Sequence, residues 1–362
     1  MKIAYCIDSL HRGGGTERVL TTKANWLAEH GHEVYVILQC EEGSPFFQLS
    51  ERVSVVSLHA PDRSDYRRRL SEALTKLRLD VTVCTGGAEV GFLYRLKDGS
   101  RKVLEFHYTK NFLVNFVRGI RHLRFRKLHL LKVWLMQKQL ERHARHYDKV
   151  IGLTRRDVGL WGNPANMTYI YNPLSFRSER KSDCSARRII AVGSLTSAKG
   201  MDQLLEAFGL IAGRFPDWCV DIYGSGQDRD MLLGMIAERG LESQVIIHEP
   251  VPDIGEKLVE ASIYAFPSRS DGFGLVITEA MECGLPTVAM DCECGPREIV
   301  TASTGLLVQD KDVRGFADAL ARLMEDSDMR ARMGAAAQRE VTRFYPDAIM
   351  PQWEELFRML EI

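Results

Sequence analysis

The chain has 362 residues, with 48 basic and 48 acidic side chains and a formal net charge of zero. This balance argues against a protein that binds nucleic acid through a large positive field. Hydrophobic residues make up 45% and charged residues 27%, the composition of a folded globular protein, and the length allows about two ordinary domains or one large one.

The first residues and the cysteines indicate a cytoplasmic protein. The opening apolar run, residues 2–7, meets Asp8 too early for a signal peptide, and no run reaches the roughly 18 to 20 apolar residues that span a bilayer. The eight cysteines lack the paired spacing of a disulfide framework, and Cys292 and Cys294 have no second pair at zinc-site spacing. We therefore expect reduced thiols and no metal at this pair.

Short apolar runs alternate with amphipathic stretches, which predicts βαβ units around a mainly parallel sheet. The first helix is the clearest, because Leu20, Ala24 and Leu27 recur at helical spacing and Gly31 follows at the position of a left-handed C-cap. Strands are predicted at residues 2–7, 34–39, 53–58, 81–85, 102–106 and 150–153, and then at 188–192, 220–223, 245–248, 263–266 and 287–290.

A break between the two series of strands divides the chain. Asn172-Pro173 and the polar stretch 178–187 lack apolar periodicity, as an interdomain connection should. We predict an α/β protein of two Rossmann-like, doubly wound domains facing across a cleft, where ligands of such folds bind. The domains would span residues 1–174 and 175–345, and a final helix, 346–362, would dock back on the first.

Glycine-rich turns follow three of the predicted strands. Gly14 and Gly15 precede the first helix, which makes a generic anion site, although a tight turn explains them equally well. A second turn, with Gly193 and Ser194, leads to Lys199, whose ammonium suits a diphosphate but is also typical of a solvated surface. The third turn has Gly224 and Gly226 in a G-x-G spacing, a weak signal by itself.

A fourth segment, residues 267–281, changes the interpretation of the others. Asp271 ends a predicted strand, Gly272 and Gly274 let the backbone approach a ligand, and Glu279 lies on the following helix. A carboxylate suits the two hydroxyls of a ribose, and a helix N-terminus suits phosphate. An exposed helical acid would explain Glu279 alone, but the combination favours a nucleotide site.

Together these motifs resemble the nucleotide-sugar-dependent glycosyltransferases of family 4, which are retaining enzymes of the GT-B fold. The resemblance covers essentially the whole chain, and residues 291–299 further resemble the branch that builds lipid-linked or capsular glycans. The segments that carry it are 14–18, 192–193, 199–200, 224–226, 271–281 and 284–286.

The resemblance implies roles for individual residues. Glu279 would hold the ribose hydroxyls and Lys199 the diphosphate, while His107, at the end of a strand, would be the active-site histidine near the sugar. The catalytic set it implies is His107, Lys199, Asp271 and Glu279. The donor-binding set is Gly14, Gly15, Gly193, Ser194, Lys199, Gly224, Gly226, Gly272, Phe273, Gly274, Leu275 and Glu279.

Two positions depart from the family pattern. Asp271 stands where glutamate is usual, and Ser194 stands where arginine is usual. Lys199 would then be the sole local cation unless another arginine substitutes, and the candidates are Arg12, Arg269 and Arg297.

The resemblance implies no cofactor and no metal requirement, because cationic side chains and helix termini would stabilise the departing diphosphate. Asp228-Arg229-Asp230 spells a D-x-D motif, but we interpret it as a helix start, where aspartate is favoured.

The predicted activity is retaining transfer of a hexose or N-acetylhexosamine from a nucleotide diphosphate sugar, with UDP favoured, to a glycan or lipid-linked glycan. A GDP-mannose-dependent mannosyltransferase, a UDP-sugar epimerase of similar architecture and a catalytically silent partner are the alternatives.

A basic segment, residues 118–146, carries nine lysines and arginines against one acid, Glu141, and so has a local charge of +8. Apolar residues are interleaved with the charges. A solvated face of a core helix and a surface that binds anionic membrane explain this pattern equally well.

Overall fold

The computed structural model describes residues 1–11, 13–40, 43–119 and 125–361. The chain divides into two compact units. Unit 1 consists of Met1–Lys110, Leu131–Ser175 and Phe344–Ile362, and unit 2 consists of Asn111–Leu130 and Phe176–Arg343. Each unit is built around a fully parallel sheet, which confirms the predicted α/β class.

The strands of the two sheets follow one another along the chain. They are β1 (Lys2–Ile7), β2 (Glu33–Leu38), β3 (Val53–Ser57), β4 (Val81–Cys84), β5 (Arg101–Glu105), β6 (Lys149–Gly152), β7 (Met167–Tyr169), β8 (Arg188–Val192), β9 (Cys219–Tyr223), β10 (Val245–His248), β11 (Ile263–Phe266), β12 (Thr287–Asp291) and β13 (Gly305–Gln309). The sheet of unit 1 has the order β3-β2-β1-β4-β5-β6-β7, and that of unit 2 has the order β10-β9-β8-β11-β12-β13.

The α-helices are α1 (Gly15–Glu29), α2 (Arg63–Leu77), α3 (Phe112–Gly119), α4 (Arg126–Ala144), α5 (Arg155–Leu160), α6 (Met201–Ile211), α7 (Arg229–Glu238), α8 (Ile254–Val259), α9 (Leu275–Glu282), α10 (Pro296–Ile299), α11 (Val313–Glu325), α12 (Ser327–Glu340) and α13 (Pro346–Glu361). Within the described residues, every helix is too short or too polar to cross a membrane.

Helix α1 forms as its pattern predicts. Leu20, Ala24 and Leu27 are buried against the sheet of unit 1, and Gly31, with φ of +87°, ends the helix in the left-handed conformation. The last helix, α13, packs against α1, and its Trp353 lies in the same core.

Two strands were missed by the sequence reasoning. The edge strands β7 and β13 were not predicted, because β7 has only three residues and the five residues of β13 show no regular alternation of buried and exposed positions. The segment after β5 also departs from a simple division near residue 174, since α3 groups with unit 2. There, Asn111 and Asn115 each donate a side-chain hydrogen bond to the Glu293 carboxylate, at 2.5 and 3.1 Å.

Candidate functional site

The sheet of unit 2 reverses its order at β8. This strand pairs with β9 on one side and with β11 on the other, so the chain winds outward in both directions from this point. Ligands of open parallel sheets bind at the carboxyl ends of the strands at such a reversal. The loops after β8 and β11 carry Lys199 and Asp271, so the topology brings the two strongest predicted motifs together.

Glycine allows these two loops to touch. Gly200 has φ of +66°, and a Cβ atom there would overlap the carbonyl oxygen of Pro267. The same carbonyl accepts a hydrogen bond from Gln203 Nε2 at 2.8 Å. The amide of Arg269 donates to Ala198 O at 2.9 Å. The loops after β8 and β11 are therefore held as one assembly.

The G-x-G turn after β9 has a structural role in this assembly. Cβ atoms at Gly224 and Gly226 would overlap the carbonyl oxygens of Gly193 and Leu195, respectively. The amide of Leu195 donates to Ser225 O at 2.8 Å, which fixes the two loops together. Close packing between loops thus requires glycine at both positions of the G-x-G spacing.

Lys199 and Asp271 form an ion pair between the Nζ atom and Oδ2. The lysine side chain is 30% exposed and the aspartate side chain 14%. Burial opposes the charge on Lys199, but the neighbouring carboxylate outweighs it and raises the pKa of the ammonium above its ordinary value. The charged form of Lys199 is therefore favoured at the reversal point, where its side chain is partly exposed.

Asp271 has a second structural task. Its Oδ1 accepts hydrogen bonds from the amides of Phe273 at 3.2 Å and Gly274 at 2.9 Å, which shapes the turn into α9. Both carboxylate oxygens thus have protein partners. Lys199, with three N–H donors, keeps donors to spare for an anion after it has bonded to Asp271. The geometry leaves Lys199 with N–H donors that Asp271 does not use, whereas both carboxylate oxygens of Asp271 are engaged within the protein.

Two of the three arginines named as substitutes have carboxylate partners, as Lys199 does, and Arg269 also donates a hydrogen bond to Ser197 O, at 2.9 Å, within this loop assembly. Arg269 binds Asp202 in a two-pronged pair, at 2.6 and 2.8 Å, and Arg297 pairs with Asp291. Arg12 lies outside the described residues. Ser194 contacts the Thr196 hydroxyl at 3.3 Å and supplies no positive charge. Lys199 and Arg269, each paired with an aspartate, are therefore both cations of this loop assembly, with side chains 30% and 27% exposed.

Helix α9 begins at Leu275, directly after Gly274, whose φ is +93°. It carries Glu279 into the interior of unit 2, where the side chain is fully buried. Phe273 is also buried, whereas Gly272 and Leu275 remain half-buried at the entrance to the helix. A ligand that contacts Glu279 must therefore be received beneath the loop, not on its surface.

Tyr264, which the sequence reasoning did not single out, lies near two of the candidate site residues, Asp271 and Glu279. It lies in β11, it is fully buried, and its hydroxyl has no hydrogen-bond partner among the described residues. Burial, together with the charges of Asp271 and Glu279, raises the pKa of this phenol well above its ordinary value. The only signal in the sequence was a polar atom within an otherwise apolar strand.

Three of the predicted residues belong to unit 1. His107 follows β5 and is 9% exposed. Burial lowers the pKa of its imidazole, the charge of Glu105 opposes this shift, and Lys23 adds to it. Gly14 and Gly15 stand at the N-terminus of α1, where Gly14 O accepts the amide hydrogen bond of Arg18 at 3.1 Å.

The D-x-D tripeptide opens α7, as predicted, since the helix begins at Arg229. The expectation that Asp228 caps this helix was wrong, because its side chain makes no cap hydrogen bond. Among the described residues, no three His, Cys, Asp or Glu side chains are grouped to hold a metal ion.

Comparison with known proteins gives a consistent result for both halves of the chain. The family model for glycosyl transferases group 1 matches residues 175–340, and that for the glycosyl transferase 4-like domain matches residues 14–173. An uncharacterized glycosyltransferase of Haemophilus influenzae is 28% identical, over 98% of this chain and 99% of the relative.

Two further similarities extend the comparison. The amylovoran biosynthesis glycosyltransferase AmsD of Erwinia amylovora is 25% identical over 98% of this chain and 99% of its own length. The crystal structure of a mutant of S. aureus TarM, in complex with fondaparinux, alpha-GlcNAc-glycerol and UDP, has a TM-score of 0.80 at 14% identity, and the match covers 98% of this chain and 99% of TarM. The two units thus have the architecture of GT-B enzymes.

Proposed function

Because the chain belongs to the group 1 glycosyl transferases of the family-4 type, we propose that it moves a hexose or N-acetylhexosamine from a nucleotide diphosphate sugar, with UDP favoured, to a glycan or lipid-linked acceptor. The observation that carries this proposal is the position of Lys199. Its side chain is 30% exposed and lies in the loop assembly at the carboxyl ends of β8 and β11, where open sheets bind ligands.

The proposed chemistry assigns one task to each group. As the bond between sugar and diphosphate breaks, negative charge grows on the leaving diphosphate, and Lys199 stabilises that charge. Asp271 keeps the ammonium in place, and Glu279 receives the ribose hydroxyls. The transfer retains the anomeric configuration, with the diphosphate leaving from the face that the acceptor approaches. No metal ion takes part.

The names of similar proteins support the choice of substrates. TarM was crystallised with UDP and a GlcNAc-bearing glycerol, and AmsD acts in amylovoran biosynthesis. We propose a comparable role for this chain in the assembly of a bacterial polysaccharide at the cytoplasmic face of the membrane.

A surface of unit 1 supports the membrane location. Leu131, Leu135, Lys138 and Arg142 lie within about 60° of one another around α4, at 100° per residue, and all four are exposed. Val133, on the opposite side, is buried. We call these four residues, together with the exposed Lys132, Trp134 and Met136, the α4 surface.

The α4 surface matches an anionic bilayer in two ways. Its leucines and its tryptophan are 51 to 56% exposed and suit the acyl boundary, while its lysines and arginine suit acidic headgroups. The sequence reasoning also assigned four arginines to this region. Arg121 and Arg124 lie outside the described residues, and the side chains of Arg118 and Arg126 are outside the description as well.

Vesicle sedimentation tests this location. The protein should sediment with anionic vesicles at low salt and be released at high salt. The variant with Lys132, Lys138 and Arg142 changed to Glu should stay in solution. The same charge change at Arg67, Arg68 and Lys76, exposed on α2, should have little effect. Equal sedimentation of both variants would refute the membrane contact, and sedimentation with neutral vesicles at any salt would refute its ionic part.

A screen of sugar nucleotides tests the activity. UDP-sugars should raise the melting temperature most, and the best donor should give transfer to lipid-linked acceptors with retained α configuration. Stabilisation by GDP-mannose alone would favour a mannosyltransferase. Conversion of UDP-sugar without acceptor would identify an epimerase. Binding without turnover would identify a silent partner.

A further inference from the structure

Unit 1 contains a buried charged cluster that the proposed donor site does not use. Lys23, from α1, bonds through Nζ to Oε2 of Glu105, at the end of β5. Both side chains are only 1% exposed. The other oxygen of Glu105 lies 3.5 Å from Nε2 of His107, whose side chain is 3% exposed. The three residues form a continuous row from α1 to the carboxyl edge of the sheet.

Aromatic rings close the far end of this row. The Lys23 ammonium lies 3.7 Å from the centroid of the Trp353 ring and 5.2 Å from that of Tyr5. Trp353 belongs to α13 and is 1% exposed. Cation–π contact replaces part of the lost hydration of the ammonium, so that the lysine is enclosed by one carboxylate and two rings.

Stability alone does not account for such a pair. Removing two charges from water costs several kcal/mol, and well-packed hydrophobic residues of similar volume are often as stable or more so. Neither Glu105 Oε1 nor His107 Nε2 has a hydrogen-bond partner among the described residues. The pair thus presents a fixed carboxylate oxygen to the imidazole at a distance beyond a hydrogen bond.

We infer that Lys23 and Glu105 are positioning residues: Lys23 fixes the carboxylate of Glu105 at 3.5 Å from Nε2 of His107, and the charge of that carboxylate orients the imidazole at the end of β5 for the transferred sugar. This inference rests on the proposed function for the role of His107, but the geometry of the row does not. The Lys23 charge balances that of Glu105, so the carboxylate orients the ring without drawing a proton onto it.

The row makes opposite predictions for two variants in a titration of His107 by NMR. In Lys23→Met, the uncompensated carboxylate should raise the pKa of His107. In Glu105→Gln, the remaining ammonium should lower it. The charged groups that bear on the imidazole are Glu105, at the end of β5, and Lys23 on α1.

Transfer kinetics give the second readout. Misplacement of a reacting group by about 1 Å can cost roughly 100-fold in rate, so both variants should lose about 10- to 100-fold in kcat with little change in the donor KM. The double variant Lys23→Met with Glu105→Leu leaves no unpaired charge and should fold as well as the wild type, yet show the same loss of kcat.

Lys102 offers a matched control at the other end of β5. It is 4% exposed and pairs with Asp98 Oδ1 at 2.5 Å, so Lys102→Met also removes a buried cation. This variant should lose stability but keep the kcat and the His107 pKa of the wild type.

The outcomes separate the two claims. A His107 pKa that moves no more in Lys23→Met and Glu105→Gln than in Lys102→Met overturns the inference. So does a normal kcat in the double variant. Absence of transfer by the wild type overturns the proposed function instead, and the NMR titration then decides the inference by itself.

Discussion

The two units each contain a lysine–carboxylate pair near the carboxyl edge of the sheet, and the pairs differ in their access to solvent. Lys23 and Glu105 in unit 1 are both 1% exposed, whereas Lys199 and Asp271 in unit 2 are 30% and 14% exposed. A fully buried ion pair can act only on neighbouring side chains. In a partly exposed ion pair, which we call half-open, the lysine can also contact a ligand while the carboxylate keeps the ammonium in place.

The electrostatics of the two lysines follow this difference. Burial lowers the pKa of Lys23, and Glu105 opposes the shift without overcoming it. For Lys199, burial also works against the charge, but Asp271 prevails and the pKa is raised. Lys199 therefore remains protonated throughout the neutral range, as a cation that stabilises a leaving diphosphate must.

The largest predicted effect comes from removing the half-open lysine. Lys199→Ala should lower the turnover of sugar transfer by about 100- to 1,000-fold, because the charge that develops on the diphosphate loses its stabilising group. Fold stability should change little, since partly exposed ion pairs contribute only about 0 to 1 kcal/mol.

Lys257→Ala is the matched control for this prediction. Lys257 lies on α8, its side chain is 35% exposed, and it pairs with Glu260. Its loss should leave turnover unchanged. Equal rates for the two variants would show that half-exposure of an ion pair does not mark the donor site.

The next effect concerns the loop that carries Lys199. Gly200→Ala should cost about 2 to 4 kcal/mol of unfolding free energy, because the left-handed backbone is strained and the new methyl group overlaps Pro267 O. Gly31 is also left-handed, but a Cβ atom there meets nothing within 4 Å. Gly31→Ala should therefore cost only about 1 to 2 kcal/mol. Equal losses of unfolding free energy for the two variants, measured in urea, would contradict a steric role for the contact between Gly200 and Pro267 O.

Glu279 extends the comparison to a buried carboxylate of unit 2. Glu279→Ala should weaken UDP binding by about 10- to 150-fold, or about 1.5 to 3 kcal/mol, since charged hydrogen bonds to the ribose are lost. Calorimetry measures this directly.

Glu282 is the control on the same helix. It is 2% exposed and pairs with Lys181 at 2.6 Å, so Glu282→Ala should lower stability without changing UDP affinity. If both variants bind UDP as the wild type does, Glu279 is a structural acid like Glu282.

The smallest predicted effect is that of chelation. Transfer activity should be unchanged in excess EDTA, because in the proposed mechanism Lys199, and not a metal ion, stabilises the diphosphate. A loss of activity that manganese restores would show that a bound metal ion, and not Lys199, stabilises the diphosphate.

Sequence reasoning predicted the fold well because its signals are local. The buried parallel strands are nearly continuous apolar runs, and β1, β8, β10 and β11 begin and end where the pattern predicts. The edge strand β7 was missed because its three residues, one buried and two half-buried, are too few to show a periodicity.

The site was only partly predictable because its contacts join distant parts of the chain. The spacing of motifs indicated Lys199, Asp271 and Glu279, but not that Lys199 and Asp271 pair with each other. The contact of Gly224 with the Gly193 loop likewise depends on the order of strands in the sheet. A buried lysine such as Lys23 gives no sequence signal, because a helical lysine normally faces solvent.

Phosphorus NMR of bound UDP tests the role of Lys199 most directly. At matched saturation and in EDTA, the wild type should shift the β-phosphate resonance of UDP, and Lys199→Ala should lose most of that shift while the α-phosphate changes less. Identical β-phosphate shifts for the two proteins, or binding of neither UDP nor GDP by the wild type, would contradict the assignment of the half-open lysine to the diphosphate.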